Sequence, residues 1–312
     1  MKRLHTFKIF ILALGIFVTG LNHSTVAQLK VVTTLPDLAS ITQYVGGNHV
    51  DVFSIAKGYQ NPHFVDPKPS YIVKLSRADM FVTVGLDLEL GWSPQLLQSS
   101  RNSKIQKGNP GYVDVSEGMA LLQVPTTTTR EEGDIHIYGN PHYWLDPLRG
   151  KQIAQNIYNH LVQIDPKNQT DYAKNLKTFD DKVDQKLVEW QQKMAPYQNT
   201  EVIAYHNEWV YFEKRFGLHI VDFLEPKPGI PPSPSQLVKI INEVKSRKIP
   251  ILINSPYFSS SSPDVVARNT NIKIVKISTM TGGYDEIKNY FDLFDYDINK
   301  IVSALTDNNS SN

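Results

Sequence analysis

The residues of this chain best suited to chemistry are histidines set in proline-flanked loops. Two stretches share one pattern, Asn61-Pro62-His63-Phe64-Val65-Asp66-Pro67 and Asn140-Pro141-His142-Tyr143-Trp144-Leu145-Asp146-Pro147. Each reads Asn-Pro-His-aromatic and then Asp-Pro. Proline restricts the backbone on its N-terminal side, so each imidazole is offered from a loop rather than from a regular element. His206 follows the run Val202-Ile203-Ala204, at the end of a predicted strand, where α/β proteins place ligand sites. Three imidazoles suit zinc, which takes neutral histidine nitrogen at ~2.0–2.1 Å in tetrahedral geometry and leaves a fourth position for oxygen. The chain contains no cysteine, which excludes thiolate sites, iron–sulfur clusters and cysteine nucleophiles. His49, His136, His160 and His219 lack the Asn-Pro context and read as structural or exposed, with His136 a weak scavenger of metal in a polar loop.

Metal-bound histidines commonly donate their second ring N–H to a carboxylate or carbonyl. Asp66, Asp146 and Glu208 stand near the three histidines in sequence, and Glu225 in a proline-rich turn is placed to orient His206 or to tie the two halves together. Helix capping and surface solvation are the plainer roles for the same carboxylates. Trp144 and Trp209 flank the histidines and either wall the site from water or pack in the core. Three histidines and a water are also a catalytic zinc pattern, but a hydrolase needs a general base beside the water. Glu208 could be proposed for that role, but no His-Glu-x-x-His or nucleophile-elbow motif is present. A receptor for an organic solute would need a larger pocket with aromatic platforms. The expected behaviour is therefore capture of an ion without catalysis, with affinity falling as pH drops through ~6.5, where imidazole protonates.

Positioning such a site requires a framework, and the alternation of patterns supplies one. Lys30 to Thr34 predicts a strand, Leu38, Ile41 and Val45 a helix, Val50 to Ala56 a strand, Tyr71 to Ala78 a helix and Met80 to Val84 a strand. The second half repeats this: strands over 201–204, 220–224, 250–254 and 273–277, and helices over 208–216, 235–246 and 263–268. Such alternation implies an α/β fold of two lobes with mostly parallel sheets, each lobe long enough to bury its own core. Between them, Tyr172, Leu176, Phe179, Val183, Leu187, Trp190 and Met194 recur at helical spacing, predicting one rigid helix of roughly 40 Å that packs as a spine across both lobes and limits hinge opening. The predicted divisions are a signal peptide over 1–27, an N-terminal lobe over 28–165, the spine over 166–196, a C-terminal lobe over 197–306 and a disordered tail over 307–312.

The N-terminus combines Lys2, Arg3 and Lys8 with an uncharged run from Ile9 to Leu21 and small residues up to Ala27. This is the layout of a cleaved secretory signal, too short to span a bilayer. Without a cysteine to carry a lipid, the expectation is a protein diffusing freely in a periplasm. A formal charge of +1 with scattered Lys and Arg leaves no footprint for nucleic acid.

In combination, several segments identify a resemblance. They are Val31-Val32-Thr33-Thr34 with Gly46-Gly47, the two Asn-Pro-His segments, Tyr205-His206 with Trp209, Tyr211-Phe212 and Phe216-Gly217-Leu218, the stretch Glu225 to Pro234, and Tyr290 to Tyr296. Over nearly its whole length after Ala27 the chain resembles the zinc and manganese solute-binding proteins of ABC transporters, a group that includes lipoprotein adhesins. The resemblance implies a metal in the cleft between two lobes, held by His63 and His142 from the first and His206 from the second. Manganese-type members tend to carry a carboxylate where His206 stands, so the resemblance points to Zn2+ as cargo, with Mn2+ or iron the alternative. It also implies a monomer that docks on a membrane permease, and leaves open a metallochaperone and an adhesin role. Many members have an aspartate ligand where Lys288 stands here, so the fourth ligand is expected from Asp285, Glu286 or water.

Overall fold

The computed structural model describes residues 27–125, 136–227 and 229–309. The expected signal peptide up to residue 26, residues 126–135 with their run of four threonines, and the last three residues of the tail lie outside the described residues. Among the described residues no helix is long and apolar enough to cross a membrane.

The first half contains β1 (Leu29–Thr33), α1 (Pro36–Gly46), β2 (Val50–Ser54), α2 (Pro69–Ser76), β3 (Met80–Thr83), α3 (Ser93–Ser99), β4 (Tyr112–Asp114) and α4 (Pro147–Ile164). The long helix α5 (Gln169–Met194) follows, with a single 3-10 turn at each end. The second half contains β5 (Glu201–Ala204), α6 (Val210–Phe216), β6 (His219–Phe223), α7 (Pro234–Arg247), β7 (Ile251–Asn254), α8 (Ser261–Asn269), β8 (Lys273–Lys276) and α9 (Tyr290–Asn309). The two sheets have strand orders β2-β1-β3-β4 and β6-β5-β7-β8, all parallel, so one topology is used twice. Parallel strands are buried on both faces, and β3 and β7 are accordingly continuous apolar or buried runs.

Proline starts many of the helices. Pro36, Pro69, Pro147 and Pro234 sit in the first turn, where the missing N–H costs nothing, and Asp146 and Ser233 add side-chain caps to α4 and α7. Helix α4 is absent from the sequence reading although Ile153, Ala154, Ile157 and Leu161 bury one of its faces. α3 and β4, of seven and three residues, are too short to give a clear periodic signal. α9 continues through 307–309, where a disordered tail was expected.

The cores differ from the expectation of one per half. A single apolar cluster runs from Val31 and Phe81 through Tyr172, Phe179 and Trp190 of α5 to Phe212, Ile251 and Phe294. Among the described residues a smaller cluster around Ile203, Leu224, Ile240 and Leu252 is separate. The reason is that α5 packs against α1, α4 and α9 together, and its aromatic face joins residues from both halves. Asp37 of α1 reinforces this by accepting from the Thr281 N–H and hydroxyl at 3.0 and 2.9 Å.

Candidate metal centre

Each histidine is set by the loop around it. Asn61 Oδ1 accepts the backbone N–H of His63, and Asn140 Oδ1 that of His142, both at 3.0 Å. This two-residue asparagine turn is the physical content of the repeated Asn-Pro-His pattern. The His63 loop, between β2 and α2, is fastened by the Trp92 indole N–H donating to the Pro62 carbonyl at 3.0 Å. It also passes so close to the 281–283 turn that a Cβ on Gly58 would meet the Thr281 carbonyl oxygen at 2.2 Å, which leaves room only for glycine.

His142 is followed by a 3-10 turn and α4, yet this segment is bolted to the second half. Tyr211 donates its hydroxyl to the Asn140 carbonyl at 2.7 Å, Asn140 Nδ2 donates to the Asn207 carbonyl at 2.9 Å, and Trp144 Nε1 donates to the Thr279 carbonyl at 2.7 Å. Arg215 grips Asp146 with two bonds of 2.6 and 2.9 Å. His206 leaves the C-terminal end of β5, and Glu225 leaves the end of the neighbouring β6, joined by the Glu225 N–H to the Tyr205 carbonyl at 2.9 Å.

The three imidazoles converge, each offering one ring nitrogen within 4.8 Å of the other two. The Nε2 atoms of His63 and His142 are 3.3 Å apart. His142 Nδ1 donates to Asn140 Oδ1 at 3.0 Å, and His206 Nδ1 donates to Glu225 Oε2 at 2.5 Å. Those bonds fix the tautomers and leave both Nε2 lone pairs for a cation. Burial, with His136 and His206 next to it, holds His63 well below the usual imidazole range. Burial does the same to His142, helped by His63, His206 and His136. The share of the expected loss of affinity that His63 and His142 carry therefore moves to more acidic pH. The adjoining cavity, lined by Asn61, His63, Phe64, His206, Glu225, Gly229 and Phe258, holds about 20 Å³. That is room for roughly one water, far short of the hundreds of Å³ an organic solute occupies.

Asp285 and Glu286 are not brought to this group. Both are exposed, and the turn carrying them is closed on itself by Gly282 N–H to the Ile287 carbonyl and Ile287 N–H to the Tyr284 carbonyl, at 2.8 and 3.0 Å. Asp66 is exposed too, and Asp146 is occupied by the α4 cap and Arg215. Glu208 is buried and accepts from the hydroxyls of Ser255 and Tyr257; burial raises its pKa. Its N–H donates to the His206 carbonyl at 2.9 Å, while its carboxylate is taken up by those two hydroxyls rather than by the His206 ring. Trp144 and Trp209 are fully buried. His136, which the sequence placed apart, has its ring 5.0 Å from that of His63.

Residues 31–304 match the family described as ZnuA, zinc-uptake complex component A, periplasmic. The chain belongs to this family. The family is a solute-binding component of a metal transporter rather than an enzyme. Among relatives of this ZnuA-family chain, the manganese ABC transporter substrate-binding lipoprotein PsaA of Streptococcus anginosus is 27% identical, with 98% of this chain and 100% of the relative covered. The metal ABC transporter substrate-binding lipoprotein SsaB of Streptococcus sanguinis is also 27% identical, covering 89% and 90%. In structure, the chain resembles a crystal structure of ZnuA with a TM-score of 0.76 at 23% identity, covering 89% of this chain and 99% of that one. A manganese-bound periplasmic metal-binding protein of Candidatus Liberibacter asiaticus gives 0.73 at 22%, covering 89% and 100%. These structures establish the shared fold. The relatives run against one expectation, that of a freely diffusing protein without a lipid: PsaA and SsaB are named lipoproteins. The chain itself has no cysteine to carry such a lipid.

Proposed function

We propose that this chain captures Zn2+ through His63, His142 and His206 and hands it to the permease of an ABC transporter. The observation that carries the reading is the convergence of three imidazole nitrogens within 4.8 Å, two of them with tautomers fixed by outside hydrogen bonds. Mn2+ is the rival cargo, as the names of the streptococcal relatives indicate. An imidazole set with no carboxylate in the group favours zinc, because manganese suits oxygen ligands. One chain supplies every ligand, so a monomer suffices. The ligands come from both halves of a chain whose shared core passes through α5, and loading accordingly involves small shifts and loop rearrangement rather than wide closure.

The test is metal analysis of protein purified without added metal, followed by competitive titration of zinc against manganese on wild type, H63A, H142A and H206A. Zinc should win in the wild type, and each alanine variant should lose it. Manganese preference would reverse the cargo; unchanged zinc affinity in all three variants would remove the site.

A further inference from the structure

We propose that His136 is the fourth ligand, so that the captured ion sits among four imidazoles. This rests on the three-histidine reading above and completes it. A zinc–nitrogen bond of ~2.0–2.1 Å puts an imidazole centre roughly 3.2 Å from the ion, so two rings at the tetrahedral angle have centres about 5.2 Å apart. The rings of His63, His142 and His206 stand 5.3, 5.7 and 5.8 Å from one another. His136 stands 5.0 Å from His63 and 6.2 Å from His142, beside the cluster but not yet at its 5.3–5.8 Å spacing.

No ring nitrogen of His136 falls inside the 4.8 Å group, so the fourth bond requires an inward shift of its carrier. That carrier is a short turn closed by Gly139 N–H to the His136 carbonyl at 3.0 Å, with Gly139 at φ 120. The turn runs straight into Asn140, which orients His142. Its tip residues, Ile137 and Tyr138, are exposed, so the shift disturbs no core packing. The nearby carboxylates are already engaged: Glu225 accepts from His206 and from the Gly229 N–H, and Glu208 accepts from Ser255 and Tyr257. Asp285 and Glu286 face solvent. A sphere of four neutral imidazoles has no oxygen to attract manganese, and His136 thereby sharpens selectivity for zinc.

The experiment compares full-length wild type, H136A and H206A, loaded with zinc for X-ray absorption and with Co2+ for visible spectroscopy. The wild-type zinc edge should fit four imidazoles, and H136A should fit three plus one oxygen, with a changed Co2+ spectrum. Loss of a direct ligand should cost zinc affinity at least the ~10–100-fold that an outer partner is worth, and lower the zinc-over-manganese ratio. Melting of the metal-free variants checks that each is folded. Wild-type spectra and affinity in H136A, with binding lost in H206A, would overturn the His136 assignment and leave the three-histidine site standing. Unchanged binding in H206A would overturn both.

Discussion

Replacing Glu225 by glutamine separates orientation of His206 from coordination by it. The carboxylate serves two donors at once: Oε2 accepts His206 Nδ1–H at 2.5 Å and Oε1 accepts the Gly229 N–H at 3.0 Å. An amide has one acceptor oxygen, so E225Q must turn its NH2 toward one of these donors. The two side chains are each only 7% exposed, so water cannot compensate well for the mismatch. A hydrogen bond to a buried charged group is worth about 1.5–3 kcal/mol. Loss of an outer-shell carboxylate typically costs 10–100-fold in metal affinity, about 1.4–2.7 kcal/mol, and the two scales agree. Zinc affinity measured by competition with a chromophoric chelator should therefore fall in that range for E225Q, and further for E225A, while H206A should be worse than either. Affinity within about twofold of wild type in E225Q would refute the claim that this bond poises the His206 lone pair.

The parts of this site that could be read in the sequence are those with a local signature. Asn-Pro-His names its own turn, because the asparagine side chain closes onto the histidine two residues later, and His206 follows an obvious strand. His136 has no such signature. What brings it beside His63 is the path of a loop across 73 residues of sequence. The same is true of Arg215 with Asp146 and of Asp37 with Thr281, which are separated by 69 and 244 residues. Asp285 and Glu286 fail for the opposite reason: they lie in the expected stretch of chain, but the backbone bonds of their turn aim both side chains at solvent. α4 does have readable signals, the Asp146-Pro147 start and the spacing of Ile153, Ile157 and Leu161, but its start coincides with the end of the histidine motif and is masked by it.

Three further outcomes follow from the same contacts. Because burial depresses His63 and His142 well below 6.5, zinc affinity titrated from pH 8 to pH 5 should fall through 6.5 less steeply than three ordinary imidazoles would make it, with the steeper decline in more acidic solution; a full three-proton slope centred at or above 6.5 would contradict the buried, neutral pair. R215A should lower unfolding stability in urea by ~2 kcal/mol, since it leaves a carboxylate that is 8% exposed without its two-bond partner, and R215K should recover only part of this because an ammonium cannot form the planar fork. The last concerns Asp37, whose Oδ1 takes both Thr281 donors while Oδ2 is buried without a hydrogen-bond partner, so that burial lifts the carboxyl from 3.8 to about 7. The folded protein then holds a proton that the unfolded chain has already released between those two values, and its stability drains away as pH rises through that window and stays reduced above it. Asparagine imitates the neutral acid at any pH: its oxygen accepts from Thr281, and its NH2 stands where Oδ2 had no donor. D37N should therefore be more stable than wild type at pH 8, with the gain shrinking toward zero near pH 4. A D37N gain in urea midpoint that is the same at both pH values would mean that Asp37 is ionised in the fold and that its link to the second half is an ordinary charged one.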